Sequence, residues 1–233
     1  MVKAKESELK KILDALIVRD HEDREAERII RKDLLRQGLI EKVPSKIIKI
    51  DAGNITGVGN VVGEILKELK GEERFIALEG RSGTGKSSVA DALAQELKAI
   101  RFSLGEVFRL FAYCANVNKT FSFENIVKDL SYSIEDGKAY LFWGKKNVTR
   151  KLKDDLRSPD LEKKLPEISK KVYKLIIDFI DCEIKRLNKS HSLRFVIEGR
   201  GLSLDFLPSD IRIKLVADPI TRARRRHRQN HGH

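Results

Sequence analysis

The segment Gly80-Arg81-Ser82-Gly83-Thr84-Gly85-Lys86-Ser87 matches G-x-x-x-x-G-K-[ST] at every fixed position. Nothing else in the chain limits its fold as tightly. Glycines at these places let the backbone curl so that successive N–H groups point inward and form an anion nest. A helix starting behind the loop adds the positive end of its dipole. Lys86 is then placed to reach β- and γ-phosphates, and Ser87 to offer its hydroxyl to Mg²⁺. The flanks agree with this. Phe75–Leu78 is an apolar run closed by charge and glycine, which reads as a buried parallel strand. Ser87–Lys98 reads as the helix that follows. Gly80, Arg81, Ser82, Gly83, Thr84, Gly85, Lys86, Ser87 and Ser88 are the candidate nucleotide phosphate contacts.

Around this loop, strand-like and helix-like segments alternate. Ile47–Ile50, Ile100–Phe102, Phe195–Ile197 and Ile211–Val216 are short β-branched or aromatic runs. Helical periodicity covers Val61–Leu69, Glu106–Ala115 and Lys170–Leu187. The alternation predicts a doubly wound α/β domain, with a parallel sheet covered by helices on both faces. Ser7–Leu39 reads as helix, but the polar run Arg19–Glu27 interrupts its apolar face and predicts two helices with a joint. Residues 118–169 are polar and read as irregular, with some helix near Ser122–Ile134. The basic end from Arg222 to His233 reads as a helix.

Composition narrows the function classes. No window approaches about 18 uninterrupted apolar residues, so no membrane span is expected. The charged N-terminus lacks a leader's apolar stretch. The two cysteines, Cys114 and Cys182, form no framework or metal-ligand spacing, which fits a reducing, cytoplasmic setting. Net charge is +12 across 233 residues. The basic residues are mostly dispersed, without interleaved aromatics, and so favour a polyanionic small substrate over nucleic acid. His191, His227, His231 and His233 read as solvated tail residues rather than metal ligands. Glu198 ends the run Arg194–Ile197 and is placed to orient a Mg²⁺ water; an ordinary strand-end acid is the alternative.

Four segments together resemble the cytidylate kinase family of nucleoside monophosphate kinases. They are Phe75–Gly80 running into the loop, Phe102–Arg109 with a Gly-x-x-[Tyr/Phe]-Arg turn, Val196–Arg200, and Ile211–Ala217 followed by Arg222-Ala223-Arg224-Arg225-Arg226. The resemblance spans roughly residues 72 to 228. It implies a P-loop NTP hydrolase type fold with a five-stranded parallel sheet, a lid and an acceptor-binding insert. It also implies ATP and Mg²⁺ as cofactors and small nucleotide substrates; a monomer is expected, though the sequence carries no signal for oligomeric state. Counted from the strand at Phe75, the implied strand order is 2-3-1-4-5, with residues 47–50 as the outer fifth strand.

The resembling order is rearranged. Ile12–Asp20, with Asp23 and Arg24 after it, looks like the family's lid ending in Arg-Asp-x-x-Asp. Ile47–Asp51 and Val61–Leu66 look like its last strand and helix. The chain therefore looks like a circular permutant opened in the lid. Residues 1–46 would be lid-like, 47–71 the last strand and helix, 72–117 the P-loop core, 118–170 the acceptor insert, and 171–233 the rest of the core and the start of the lid.

By position, the resemblance gives Lys86, Arg109, Arg19 and Arg222 as catalytic residues. Arg109, Arg157, Arg200 and Asp23 would bind the acceptor, and Ser87 and Glu198 the metal. The implied reaction is phosphoryl transfer from ATP to a nucleoside monophosphate, with CMP or dCMP as acceptor. The base-reading positions depart from the pattern at Leu104, Pro166, Leu175 and Gly201. Another small acceptor, or nucleotide binding without turnover, therefore stays open.

Overall fold

The computed structural model of the chain describes residues 2–44, 46–117, 122–135, 138–151, 156, 158–189 and 193–230. Its framework is a five-stranded sheet of β1 (Lys46–Asp51), β2 (Phe75–Gly80), β3 (Ile100–Ser103), β7 (Phe195–Gly199) and β8 (Ile211–Val216). Every pairing is parallel and the order is β1-β8-β2-β7-β3, which is the expected order. Parallel strands buried on both faces need near-continuous apolar residues. β7, Phe-Val-Ile-Glu-Gly, is buried along its whole length.

Alternation along the strands sorts side chains into two cores. Ile76, Leu78, Val196, Ile211, Ile213 and Leu215 face α2 (Val58–Glu68) and α3 (Lys86–Glu96). Ala77, Phe102, Phe195 and Ile197 face α4 (Leu104–Val117) and α7 (Pro159–Asn188). On that second face β8 contributes Arg212, buried and paired with Asp205 just past α8 (Gly201–Leu204).

The N-terminal segment differs from expectation. α1 is one continuous helix, Val2–Arg36, with no joint at 19–27. Leu16, Asp20, Asp23, Glu27, Ile30 and Leu34 recur at spacings of three and four, so they share one stripe. Its ends are apolar and buried, at Leu16, Ile30 and Leu34. Its acidic middle meets arginines of the core. The polar run is therefore the part of the docking face that carries charge, which apolar periodicity alone could not distinguish from a break.

The region 118–169 also departs from the irregular reading. After α5 (Phe123–Asp129) come β4 (Leu130–Glu135), β5 (Lys138–Trp143) and β6 (Lys146–Asn147), an antiparallel sheet of order β4-β5-β6. α6 (Val148–Lys151) follows. Tyr132 and Leu141 are buried, and the ring of Tyr132 meets that of Phe102 edge-on at 4.5 Å. β4 and β5 alternate in period two: Leu130, Tyr132, Ile134, Ala139, Leu141 and Trp143 pack on the core, while Ser131 and Ser133 lie on the other face, a strand signal that the reading of the region as polar passed over. α7 begins at Pro159, well before Lys170, and contains Pro166. Its length is set by packing against α4, which outweighs one missing backbone donor. α9 (Pro219–Asn230) is the expected basic helix. His227 is not a solvated residue: it lies against α1, with Nε2 3.5 Å from a Glu8 carboxylate oxygen.

Candidate active site

The glycine-rich loop leaves the C-terminal end of β2, the central strand, between β7 and β8. From β2 the chain runs to β3 on one side, and from β7 it crosses to β8 on the other; open α/β sheets bind ligands where the connections diverge in this way. Gly83 and Gly85 have φ of +82° and +87°, a backbone region that side chains strain to enter. Thr84 Oγ1 donates to the Arg81 carbonyl at 2.8 Å and closes the turn. Close packing also demands glycine at Gly80, where a Cβ would lie 2.7 Å from Thr84 Oγ1. α3 starts at Lys86, so its free N–H groups face the loop's hollow.

The loop is gripped from outside by α9. Arg222 Nη1 reaches the Ser82 carbonyl at 3.3 Å, and Arg225 Nη1 the Thr84 carbonyl at 2.9 Å. Arg226 Nη1 donates to Ser82 Oγ at 2.8 Å. A Cβ at Gly83 would stand 3.0 Å from the Arg222 backbone oxygen, so helix and loop are in close contact. Two of these arginines bind loop carbonyls and the third a loop hydroxyl, so α9 holds the loop through its acceptor groups.

Arg222 is 2% exposed and is gripped by α1: its Nη2 lies 2.6 Å from Asp20 Oδ2. The same carboxylate oxygen holds Arg81 of the loop at 2.6 Å. Asp20 therefore links α1, the phosphate loop and α9. Burial alone would raise its carboxyl, but hydrogen bonds from Arg222 and Arg81 outweigh that and hold it below the usual aspartate range. Arg19, its neighbour on α1, is half-buried.

Across the hollow, Glu198 ends β7 and is 3% exposed. Its Oε1 accepts from Ser103 Oγ at 2.7 Å, Arg101 Nη2 at 2.9 Å and Ser87 Oγ at 3.3 Å. The two expected metal residues are thus brought together. Oε2 of Glu198 is buried without a hydrogen-bond partner. Burial works against the Glu198 charge, but Lys86 and Arg101 prevail and hold its carboxyl below the ordinary range. A lone serine–carboxylate pair with one orphaned oxygen suits Mg²⁺, which keeps several waters and takes few protein ligands. Arg101 and Ser103 were missed from sequence. The available signal was an arginine between Ile100 and Phe102 in an otherwise buried strand.

Lys86 faces Glu198, with Arg109, Arg101 and Arg200 as the other charges acting on it. Burial, then crowding by those arginines, lowers its pKa despite Glu198. A bound polyphosphate would reverse that crowding. Nucleotide binding on the alkaline side of neutrality should therefore take up protons, and the uptake should vanish in Lys86→Met. Titration calorimetry in buffers of different ionisation enthalpy reads this directly.

Of the residues expected at the acceptor, Arg109 sits in the first turns of α4, its Nη1 3.1 Å from the Gly105 carbonyl. Arg200 forms an ion pair with Asp23 at 2.5 Å, so these two candidates also meet. Arg157 lies outside the described residues. Leu104 is core and Pro166 is exposed on α7. At Gly201 a Cβ would be 3.1 Å from Glu79 Oε1, so the space beside that backbone already holds a carboxylate.

Comparison with known proteins agrees with this geometry. The model of the cytidylate kinase family matches residues 76–233. The chain belongs to the cytidylate kinase family. It is 30% identical over 162 residues to a cytidylate kinase of Mycoplasmopsis agalactiae, covering 66% of this chain and 69% of that protein. A cytidylate kinase of Mycoplasmopsis synoviae is 29% identical, over 67% of this chain and 71% of its own length. One of Thermosipho melanesiensis is 27% identical over 158 residues, 66% of this chain and 68% of that protein. Family and site together make the chain a nucleoside monophosphate kinase. Among the described residues, no helix is long and apolar enough to cross a membrane.

Proposed function

We propose that the chain transfers the γ-phosphoryl group of ATP to CMP or dCMP, giving the nucleoside diphosphate and ADP. The observation that carries this is the convergence of Lys86, Arg109, Arg200 and Glu198 beside one phosphate-binding loop. An oxygen of the acceptor's phosphate attacks the γ-phosphorus in line. The bond from that phosphorus to the β–γ bridging oxygen breaks, and ADP leaves with the electron pair. The loop's N–H groups and Lys86 hold the donor phosphates. Arg109, a planar fork, holds the acceptor phosphate. Arg19 and Arg200 offset charge near the transferring group. Arg222 has its fork on Asp20 and the Ser82 carbonyl, so its part is to position the loop. Ser87 and Glu198 would hold Mg²⁺, whose charge would offset that of the donor phosphates.

The proposal includes the rearranged order: α1 serves as lid and β1 with α2 as the last strand and helix, both placed before the phosphate loop in sequence. Supporting it, β1 pairs with β8 at the sheet edge, and α1 delivers Asp20 and Asp23 to the site. The test is coupled ADP release with Mg-ATP against CMP, dCMP, UMP, AMP and GMP. Turnover should be highest with CMP or dCMP. Preference for a different acceptor would remove the cytidylate assignment.

A further inference from the structure

Glu198 uses its two oxygens unequally. Oε1 accepts from Ser103 Oγ at 2.7 Å, Arg101 Nη2 at 2.9 Å and Ser87 Oγ at 3.3 Å. Oε2 is buried and, among the described residues, accepts from nothing. A carboxylate oxygen offers about two lone-pair sites, so Oε1 is fully occupied and Oε2 keeps both of its own.

Arg101 fixes this division. The two serine hydroxyls rotate, and each can accept as well as donate. A guanidinium only donates, and its fork is planar and rigid. Both arms of the Arg101 fork are held: Nη2 by Glu198, and Nη1 by Asp91 of α3 at 2.7 Å. Asp91 is exposed, so this outer anchor reaches in from the surface. Stability is a poor reason for the arrangement. Nε of Arg101 is buried without a hydrogen-bond partner among the described residues, and an ion pair taken out of water adds little net stability. An apolar residue between Ile100 and Phe102 would serve β3 as well.

The division bears on which cation the carboxylate suits. Mg²⁺ is satisfied by one carboxylate oxygen and several waters. Ca²⁺ is larger, takes roughly six to eight oxygens, and readily takes both oxygens of one carboxylate. We propose that Arg101 is a positioning residue that leaves Glu198 only one free oxygen and so makes the site discriminate against Ca²⁺. Its charge acts on either dication alike; its fork sets the preference between them. This inference rests on Ser87 and Glu198 as the Mg²⁺ residues, proposed above.

The test is titration calorimetry of the full chain with the non-hydrolysable analogue β,γ-imido-ATP, in saturating Mg²⁺, in saturating Ca²⁺ and in EDTA, so that binding rather than turnover is read. Arg101→Met should raise the ratio of Ca²⁺-supported to Mg²⁺-supported affinity by about tenfold. Arg101→Lys keeps the charge without the fork and should shift the ratio in the same direction. Asp91→Ala removes only the exposed anchor; it should fold normally and shift the ratio less. A merely structural role, or charge alone, would change both affinities by one common factor. An unchanged ratio in Arg101→Met and Asp91→Ala therefore overturns the proposal, and if Arg101→Met does not fold, Asp91→Ala decides alone. The underlying reading fails separately: in wild type neither cation would then strengthen binding over EDTA, whereas a gain in wild type with an unchanged ratio in the variants overturns this inference only.

Discussion

Lys86→Ala should lower kcat/KM by about three orders of magnitude or more while leaving the fold intact. Lys86 is the cation at the start of α3, behind the glycine loop, and the charges acting on it are Glu198, Arg109, Arg101 and Arg200. Removing it takes away the charge best placed to follow the β- and γ-phosphates into the transition state. The three arginines cannot replace it. Arg101 is tied to Glu198 and Asp91, Arg200 to Asp23, and Arg109 to the Gly105 carbonyl of its own helix. Stability should change little, because Lys86 is itself disfavoured by burial and by those arginines. Coupled ADP release and a thermal melt measure the two sides. A variant keeping more than about a tenth of wild-type turnover would show that another cation carries the donor phosphates.

Asp20→Ala should have the largest effect on stability, about 3–5 kcal/mol, because it leaves the Arg222 guanidinium buried without its counter-charge. For a chain of this size that corresponds to a fall in Tm of roughly 6–20 °C. Three elements lose a common partner at once: α1, the phosphate loop through Arg81, and α9 through Arg222. Adding Arg222→Met should recover much of the loss, since the uncompensated charge goes too. The pH dependence has a definite sign. The Asp20 carboxyl is held below its ordinary value, so its contribution is complete above that value and is lost as pH falls through the depressed one. The Tm gap between wild type and Asp20→Ala should therefore close in that acidic window. A gap constant down to strongly acidic pH would mean that Asp20 is not the counter-charge of Arg222.

Much of the core could be read from local sequence. The apolar runs at Phe75, Ile100, Phe195 and Ile211 became strands because buried parallel strands admit little else. The loop at Gly80–Ser87 could be read because its backbone geometry demands its residues: Gly83 and Gly85 both have positive φ. Glu198 could be placed from the strand it ends, and it does lie by Ser87. Other parts could not be read. The sheet β4-β5-β6 lies in a region that is polar on average, so its short alternating strands, six, six and two residues long, did not stand out. The acidic stretch of α1 resembled an interruption because its partners, Arg81, Arg200 and Arg222, are distant in sequence.

By itself, then, the sequence determined the phosphate loop, the strands that carry it and the family to which both belong. These depend on local demands, on φ at a glycine and on apolar content in a strand. Tertiary structure decided which charges meet. It gave Asp20 to Arg222 and Arg81, Asp23 to Arg200, and Arg101 to Glu198. Ion pairing depends on distances that only packing fixes, and a charged residue's letter is the same whether it faces water or a buried partner.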